Sequence, residues 1–415
     1  MLRKQLHRAS AVMLPLTVSF ICCVSRGGYG QSFSSGSTGA DGALNLTTPG
    51  TIVFDPVALG LNPAVPNVFN FTTINIAAGV TVTFSSKNLT GPIYWLAQGA
   101  VTMAGTLNLN GETGSNPGNF VSQRIPSAGG PGGFGGGVGG GGGLTPQPGN
   151  GPGGGVAATL TSRAGINGTF TGSQFLIPLI GGSGGGGAAP NDPNCGGTFS
   201  GAGGGGGGAI LIASSTTITI GGTSGGGIFA SGGGSTCDGG NGSGGAIRLV
   251  ANTVTTFTAN GSPTFDVTAP ANFPGANGLI RVEAFNPNII PEGNAFVNGP
   301  FLKSQPISLA IPSTGPSVLK VTSLVVGATT IPINANPFSF PDATINSSSP
   351  VTVNVQAQFI PTGTVPKIIV MSETGPDQTV NCSALAGTLQ QSTCSAQITF
   401  PTGGSRGFVK ATWTQ

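Results

Sequence analysis

Four side chains in this sequence combine the types and the spacing that chemistry needs: Arg248, Asp266, Arg281 and Glu283. Two opposed carboxylates can serve as acid and base on a glycosidic bond. A basic group beside carboxylates suits proton abstraction, the first step of a polysaccharide lyase. The other carboxylates do not gather, since no Asp-Asp or Asp-x-Asp pair occurs among the 11 acidic residues. The competing reading of the four is a short ion-pair ladder on the surface, worth under about 1 kcal/mol per pair, and it is the one favoured here.

Other chemistries lack their residues. The sole histidine is His7, at the extreme N-terminus, so Ser-His-Asp and Cys-His catalysis have no base. Matches to G-x-G-x-x-G are frequent, but a chain with 76 glycines produces them by chance, and no βαβ pattern surrounds them. No G-K-[ST] occurs. "CDGGNGSGG" lacks the repeated Asp of a calcium loop, and no Cys-x-x-Cys spacing suggests zinc. No catalytic residue, cofactor or metal is therefore expected, and the chain is read as a non-enzyme. A lyase or other carbohydrate-active enzyme built on the four residues is the alternative.

The elements that would position these residues are β-strands. Charged residues make up only 6% of the chain, while Thr, Val, Ile and Phe are plentiful. Glycine has no strict three-residue period, which excludes collagen. Three segments repeat: "GPIYWLAQGAVTMAGTLNLNG" (91–111), "GGAILIASSTTITIGGTSGGGIFASGG" (207–233) and "GGAIRLVANTVTTFTANGSPTFDVTAP" (244–270). A partial copy, "NGLIRVEAFN", covers 277–286. Each holds short strand-like runs with tight breaks, in the third at 246–251, 254–258 and 263–268. Such units bury their apolar sides only by stacking. The fold expected for 31–300 is a three-sided parallel β-helix with glycine-rich loops, and "TIVFD", "TINIAAGVTVTF" and "GVAATLTS" are expected to add strands. Residues 31–60 are candidates to close one end.

Side chains alternate faces along a strand. Aligning the copies puts Tyr94, Ile210, Ile247 and Ile280 in one column, and Leu96, Ile212, Leu249 and Val282 in another. Both columns are assigned to the interior. Trp95, Leu211, Arg248 and Arg281 fall between them and face outward. A glycan-binding surface using Trp95 and Tyr94 is weakened by that register. Glycine suits the coil corners, where φ is often positive. Two readings stand for 129–155, a mobile linker or ordered loops, and the run 129–143 carries the largest ordering entropy. Residues 203–250 are read as ordered repeat.

"GGGGGGAILIAS", "GGGIFASGG" and "GSGGAIRLVAN" resemble the glycine-rich parallel β-helix proteins exported by environmental bacteria, many of them adhesin-like. The resemblance covers roughly 50–290. It implies a fold and an exported way of life, and it transfers no functional residue.

The ends of the chain fit that picture. Residues 1–30 read as a signal peptide, with "MLRKQLHR" as the basic region and "ASAVMLPLTVSFICCV" as the apolar one. Without Arg3, Lys4, Arg8 and Arg26, 10 basic residues face 11 acidic ones, a net charge of about −1. Nucleic acid is thus not an expected partner, and no stable transmembrane segment is expected in the mature chain. An extracellular polysaccharide or a cell-envelope component is the remaining partner class. Four cysteines follow the signal. Cys382 and Cys394 are expected to pair across one loop, and Cys195 and Cys237 as a staple between glycine-rich loops. Residues 301–415 are expected to form an antiparallel immunoglobulin-like sandwich. In its strand "VTVNVQAQFIP", Val351, Val353, Val355, Ala357 and Phe359 should face inward. Trp413 is assigned to the same core. The function expected is that of an exported structural or adhesive surface protein.

Overall fold

The computed structural model describes residues 32–415 except 62, 86–87, 90, 121–122, 191–194, 222–225, 257–263, 271–275, 290–296, 308, 310, 312–317, 334–342, 346–347, 359, 373–377, 389, 400–404 and 413–415. The expected signal peptide, Phe359 and Trp413 lie outside the described residues. Residues Phe33–Gln415 form one compact unit.

The first part is a parallel β-helix with three faces. One face stacks β3 (Val68–Phe71), β6 (Ile93–Ala97) and the first halves of β9 (Ala209–Ile220), β11 (Ala246–Thr256) and β13 (Leu279–Ile289). The second face stacks β1 (Leu44–Leu46), β4 (Ile74–Ile76), β7 (Val101–Met103) and the second halves of the same three long strands. The third is a six-stranded sheet of β2 (Gly50–Phe54), β5 (Val80–Phe84), β8 (Thr106–Asn108), β10 (Gly227–Phe229), β12 (Phe265–Asp266) and β14 (Val297–Asn298). Every pairing in these faces is parallel. In the later coils the first two faces are one continuous strand that bends, with a register shift between Ala251 and Thr253. β1 and β2 pair on one side only, so residues in 31–60 supply the terminal coil. At the other end the first face runs on into β15 (Phe301–Ser304), which pairs with β13.

The alternation of Val, Ile and Thr makes these strands, and stacking buries their apolar side. Ile210, Ile212, Ile247, Leu249, Ile280 and Val282 all point into one core, as their alignment predicts. The first copy corrects that alignment by one residue. Ile93 pairs with Ile210 and Trp95 with Ile212, so Ile93 and Trp95 are interior while Tyr94 and Leu96 face outward. A single-residue slip exchanges every side chain between faces. The penalty for the other register would be large: Trp95 is fully buried against Phe54, ring centroids 5.1 Å apart, and edge-on to Phe71.

The described residues between β8 and β9 form neither a regular strand nor a floppy linker. Ser200, Gly203 and Gly206 donate backbone N–H bonds to Gly140, Gly137 and Phe134, each at 2.8 Å. Phe134, Gly137 and Gly140 donate in turn to Gly182, Gly185 and Ala188, at 3.0, 2.8 and 2.9 Å. Gly182, Gly185 and Ala188 close the triangle onto Gly207, Gly204 and Gly201, at 2.7, 2.9 and 3.0 Å. The residues between serve other neighbours: Ala202, Gly205 and Gly208 donate to Ser115, Glu112 and Leu109. A partner that recurs every third residue means three residues per turn, the geometry of a polyproline II helix. The glycine region is a bundle of such helices, bonded chain to chain. "GVAATLTS", expected as strands, belongs to this bundle: Gly155 donates to Gly184 and Ala158 to Gly187. The run 129–143 is likewise bonded into it rather than loose.

Glycine is needed there because the backbones nearly touch. A Cβ on Gly185 would lie 1.9 Å from the Gly240 carbonyl oxygen, and one on Gly203 2.1 Å from that of Gly185. No collagen-like period appears because an interior chain has neighbours on all sides, so each of its three positions per turn must be bare. Where a chain lies at the bundle's margin, side chains return, as at exposed Val156 and Ile166.

The C-terminal part is an antiparallel sandwich. One sheet holds β16 (Val318–Val326), β17 (Thr329–Pro332), β19 (Val351–Gln358), β22 (Ala386–Gly387) and β23 (Ser392–Ile398). The other holds β18 (Ala343–Ile345), β20 (Lys367–Ser372), β21 (Gln378–Asn381) and β24 (Ser405–Thr412). Val351, Val353, Val355 and Ala357 face inward as the alternation predicts, packing with Ile345, Ile368, Val370 and Val409 of the opposite sheet. Cys382 and Cys394 form the expected disulfide. Among the described residues no helix is long and apolar enough to cross a membrane.

Candidate functional site

Three of the four candidate residues meet. β11 and β13 are adjacent and in register, with Arg248 opposite Arg281 on the outer side of the first face. Two guanidinium groups on neighbouring strands would repel. Glu283, two residues after Arg281 and hence on the same side of the strand, takes both. Its Oε1 accepts from Arg248 Nε at 2.9 Å and from Arg281 Nε at 2.7 Å. Its Oε2 accepts from Arg248 Nη2 at 3.2 Å and from the Ile307 backbone N–H at 2.9 Å. A carboxylate offers about four lone-pair positions, and all are used.

The arginines are tied down as well. Arg248 Nη1 donates to the Leu309 carbonyl at 3.0 Å. Arg281 Nη2 donates to Ser304 Oγ at 2.7 Å, Nη1 to the Gln174 carbonyl at 3.2 Å, and its guanidinium lies 5.3 Å from the centre of the Phe175 ring. Arg248 and Glu283 are fully buried and Arg281 is 5% exposed. The outer side of this face is covered throughout: Leu211, Ala213, Ala246 and Val250 pack with Leu176 and Leu179, against partly buried Phe33, Phe170 and Leu309. The expected surface ion-pair ladder is thus a sealed Arg–Glu–Arg clamp. It fastens segments 174–179 and 304–309 onto the coils.

Asp266 is not part of it. It lies on β12, on the third face, where Oδ1 accepts from Thr268 N and Oγ1 at 2.8 and 2.7 Å, and Oδ2 from Asn298 Nδ2 at 3.2 Å. The carboxylate pair that the enzyme alternative would need, Asp266 with Glu283, is not brought together, because successive faces of a coil send their outward residues in different directions. Neither arginine bonds Asp266, and both oxygens of Glu283 are engaged within the clamp.

Trp95 and Tyr94 offer no sugar-stacking face, since both are buried. Burial pushes the Tyr94 phenol up to about 12, opposed by the nearby Arg248 charge. Cys195 and Cys237 are side by side, with Cys195 Sγ donating to the Cys237 carbonyl at 3.2 Å, and the two thiols are not joined to each other. Nothing in the sequence marks Gln174, Phe175, Ser304, Ile307 and Leu309 as partners of the clamp, because their role comes from the path of covering segments. The second face carries a regular outward row that is exposed at Asn45 and Thr102 and half-buried at Asn75, Thr219 and Thr255. Asn45, Asn75, Thr102, Thr219 and Thr255 stand opposite one another on successive strands, forming an uncharged ladder of amides and hydroxyls. Strands in such a stack are about 4.8 Å apart.

No protein-family model, curated protein or solved structure matches this chain.

Proposed function

We propose that this protein is an exported structural or adhesive component of the cell surface or extracellular space, acting as a rod without catalysis. The observation that carries the reading is the closure of the clamp: the most chemically equipped cluster of the sequence is buried and its carboxylate is saturated. Residues 1–30 have the pattern of an export signal, and the Cys382–Cys394 disulfide suits an oxidising compartment. The contact surface in this reading is the Asn/Thr ladder. Its lack of charge favours a neutral extracellular polysaccharide over an ionic partner, and its repeat runs along the rod as an extended polymer does.

The test takes the secreted full chain against a panel of soluble and insoluble polysaccharides. The expected result is no release of reducing ends or unsaturated uronates, with retention on at least one insoluble neutral polymer. Thr102→Lys/Thr219→Lys should abolish that retention without changing the melting temperature by more than a few degrees. Depolymerisation of any polymer overturns the non-catalytic reading. Retention that survives the double substitution removes the ladder as the contact.

A further inference from the structure

The glycine bundle contains two thiols that the fold has brought together. Cys195 is buried, and its Sγ lies 3.2 Å from the Cys237 carbonyl oxygen. Cys237 sits in a fixed place. It and Asp238 form a left-handed turn with φ of 44° and 59°. Thr236 Oγ1 donates to the Gly114 and Ser115 carbonyls at 3.1 and 2.8 Å, and the Asp238 carbonyl accepts from Gly165 N–H at 2.8 Å. The turn is thereby bonded to two other chains of the bundle, at residues 114–115 and 165.

We infer that Cys195 and Cys237 are an oxidation site: after export they form a disulfide that staples the bundle. The step is thiol–disulfide exchange with a disulfide donor, either oxidised glutathione or a thiol oxidoreductase. One thiol, as its thiolate, attacks a donor sulfur and gives a mixed disulfide, releasing the first donor thiol. The second thiolate attacks the mixed disulfide, forming the Cys195–Cys237 bond and releasing the second. Two protein thiols are oxidised and one donor disulfide is reduced to two thiols. The staple suits this part of the molecule above all others. Glycine chains lose the most conformational freedom on folding, and a link across 42 residues restricts that freedom in the unfolded chain. The order of events follows from the compartment: the chain would cross the membrane reduced and become locked outside.

The experiment exports the full chain to a bacterial periplasm, alkylates it in denaturant without reduction, and maps peptides by mass spectrometry. The expected product is a cross-linked peptide joining 195 to 237, beside the Cys382–Cys394 pair, with no alkylated cysteine after the signal. Purified reduced protein treated with oxidised glutathione should form the same link. Its melting temperature should rise by roughly 5–10 °C over that of Cys195→Ser/Cys237→Ser. Alkylation at both 195 and 237 after the glutathione treatment overturns the inference, as does a link from either to Cys382 or Cys394. If the serine variant does not fold, the comparison is between glutathione-treated and untreated wild-type chains, and equal melting temperatures then count against the staple. The outcome is independent of whether the rod binds a polysaccharide.

Discussion

The coils and the glycine bundle lie side by side in one unit and are stabilised in opposite ways. Inside the coils, Trp95, Phe54, Phe69 and Phe71 pack ring against ring, and each large apolar side chain so buried stabilises by about 1.5–3 kcal/mol. The bundle has almost no side chains to bury. Its chains are held by backbone hydrogen bonds worth about 0.5–1.5 kcal/mol each, against an ordering cost of about 1–2 kcal/mol per residue. Close Cα–H···O contacts add a little. Such a bundle does not break even alone. It is anchored where it is spliced into the coils: Leu109, buried in their core, donates to the Phe229 carbonyl and accepts from Gly208, both at 2.7 Å. A side-chain core tolerates a change of shape by local repacking. A backbone core has nothing flexible to move.

The sharpest test of that difference is Gly185→Ala. To bring the new Cβ from 1.9 Å to an ordinary 3.4 Å from the Gly240 oxygen, the two backbones must part by more than an ångström. That breaks the bonds from Gly185 to Gly204 and from Gly240 to Gly186, now 2.9 and 2.8 Å. We expect a loss above about 5 kcal/mol, seen as disappearance of the bundle's transition in calorimetry while the coils persist. A melting curve within a degree or two of wild type would mean that the chains are not this close.

Next in size is the clamp. Glu283→Gln leaves two buried guanidinium groups without their counter-charge and should cost about 3–5 kcal/mol in urea unfolding. The triple variant Arg248→Met/Arg281→Met/Glu283→Leu should recover most of it, since an apolar replacement of a buried ion cluster is commonly neutral or better. Failure of the triple variant would show that the clamp's bonds to 174 and 304–309 matter more than its charge balance.

These two sites also show where the sequence was legible. The Arg281–Glu283 pair follows from the two-residue period of a strand, and Arg248 joins it through the repeat alignment. The placement of Asp266 does not follow, because the face it occupies depends on corner lengths between strands. The slip at Trp95 arose because "GPIYWLAQG" presents apolar residues at every position from Ile93 to Ala97, all buried, so alternation carried no phase. The bundle was hidden for a deeper reason. A three-residue period of contacts among identical residues leaves no pattern in the sequence, and the absence of a Gly-X-Y repeat, which rules out collagen, does not rule out three residues per turn.

Tyr94 probes the covered side of the coils through pH. Its phenol is held up to about 12, chiefly by burial, whereas in the unfolded chain it ionises near 10. Stability is intact below pH 10 and falls as pH rises from about 10 to 12, because the unfolded chain loses the proton first. With about 1.4 kcal/mol per pH unit, the fall should total roughly 2–3 kcal/mol. Tyr94→Phe should flatten that part of the profile of urea midpoint against pH. Because the other of the chain's 2 tyrosines, Tyr29, falls within the expected signal peptide, absorbance titration of the exported chain reports Tyr94 alone. Ionisation near pH 10 in that titration would place the ring in water, and the covering segments with it.

The smallest effect separates the two reasons for glycine. Gly143 has φ of 83° and nothing within 4 Å of where a Cβ would stand, whereas Gly185 has no left-handed φ and no room. Gly143→Ala therefore meets only the backbone preference against positive φ, about 1 kcal/mol, and should lower the melting temperature by a few degrees. Asn tolerates that conformation better than Ala, so Gly143→Asn should cost less, while Gly185→Asn should be at least as damaging as Gly185→Ala. If Asn rescues neither position, conformation is not what glycine supplies at 143. If it rescues both, the interior chains have space that the hydrogen-bonded triangle of 134–140, 182–188 and 201–207 does not allow.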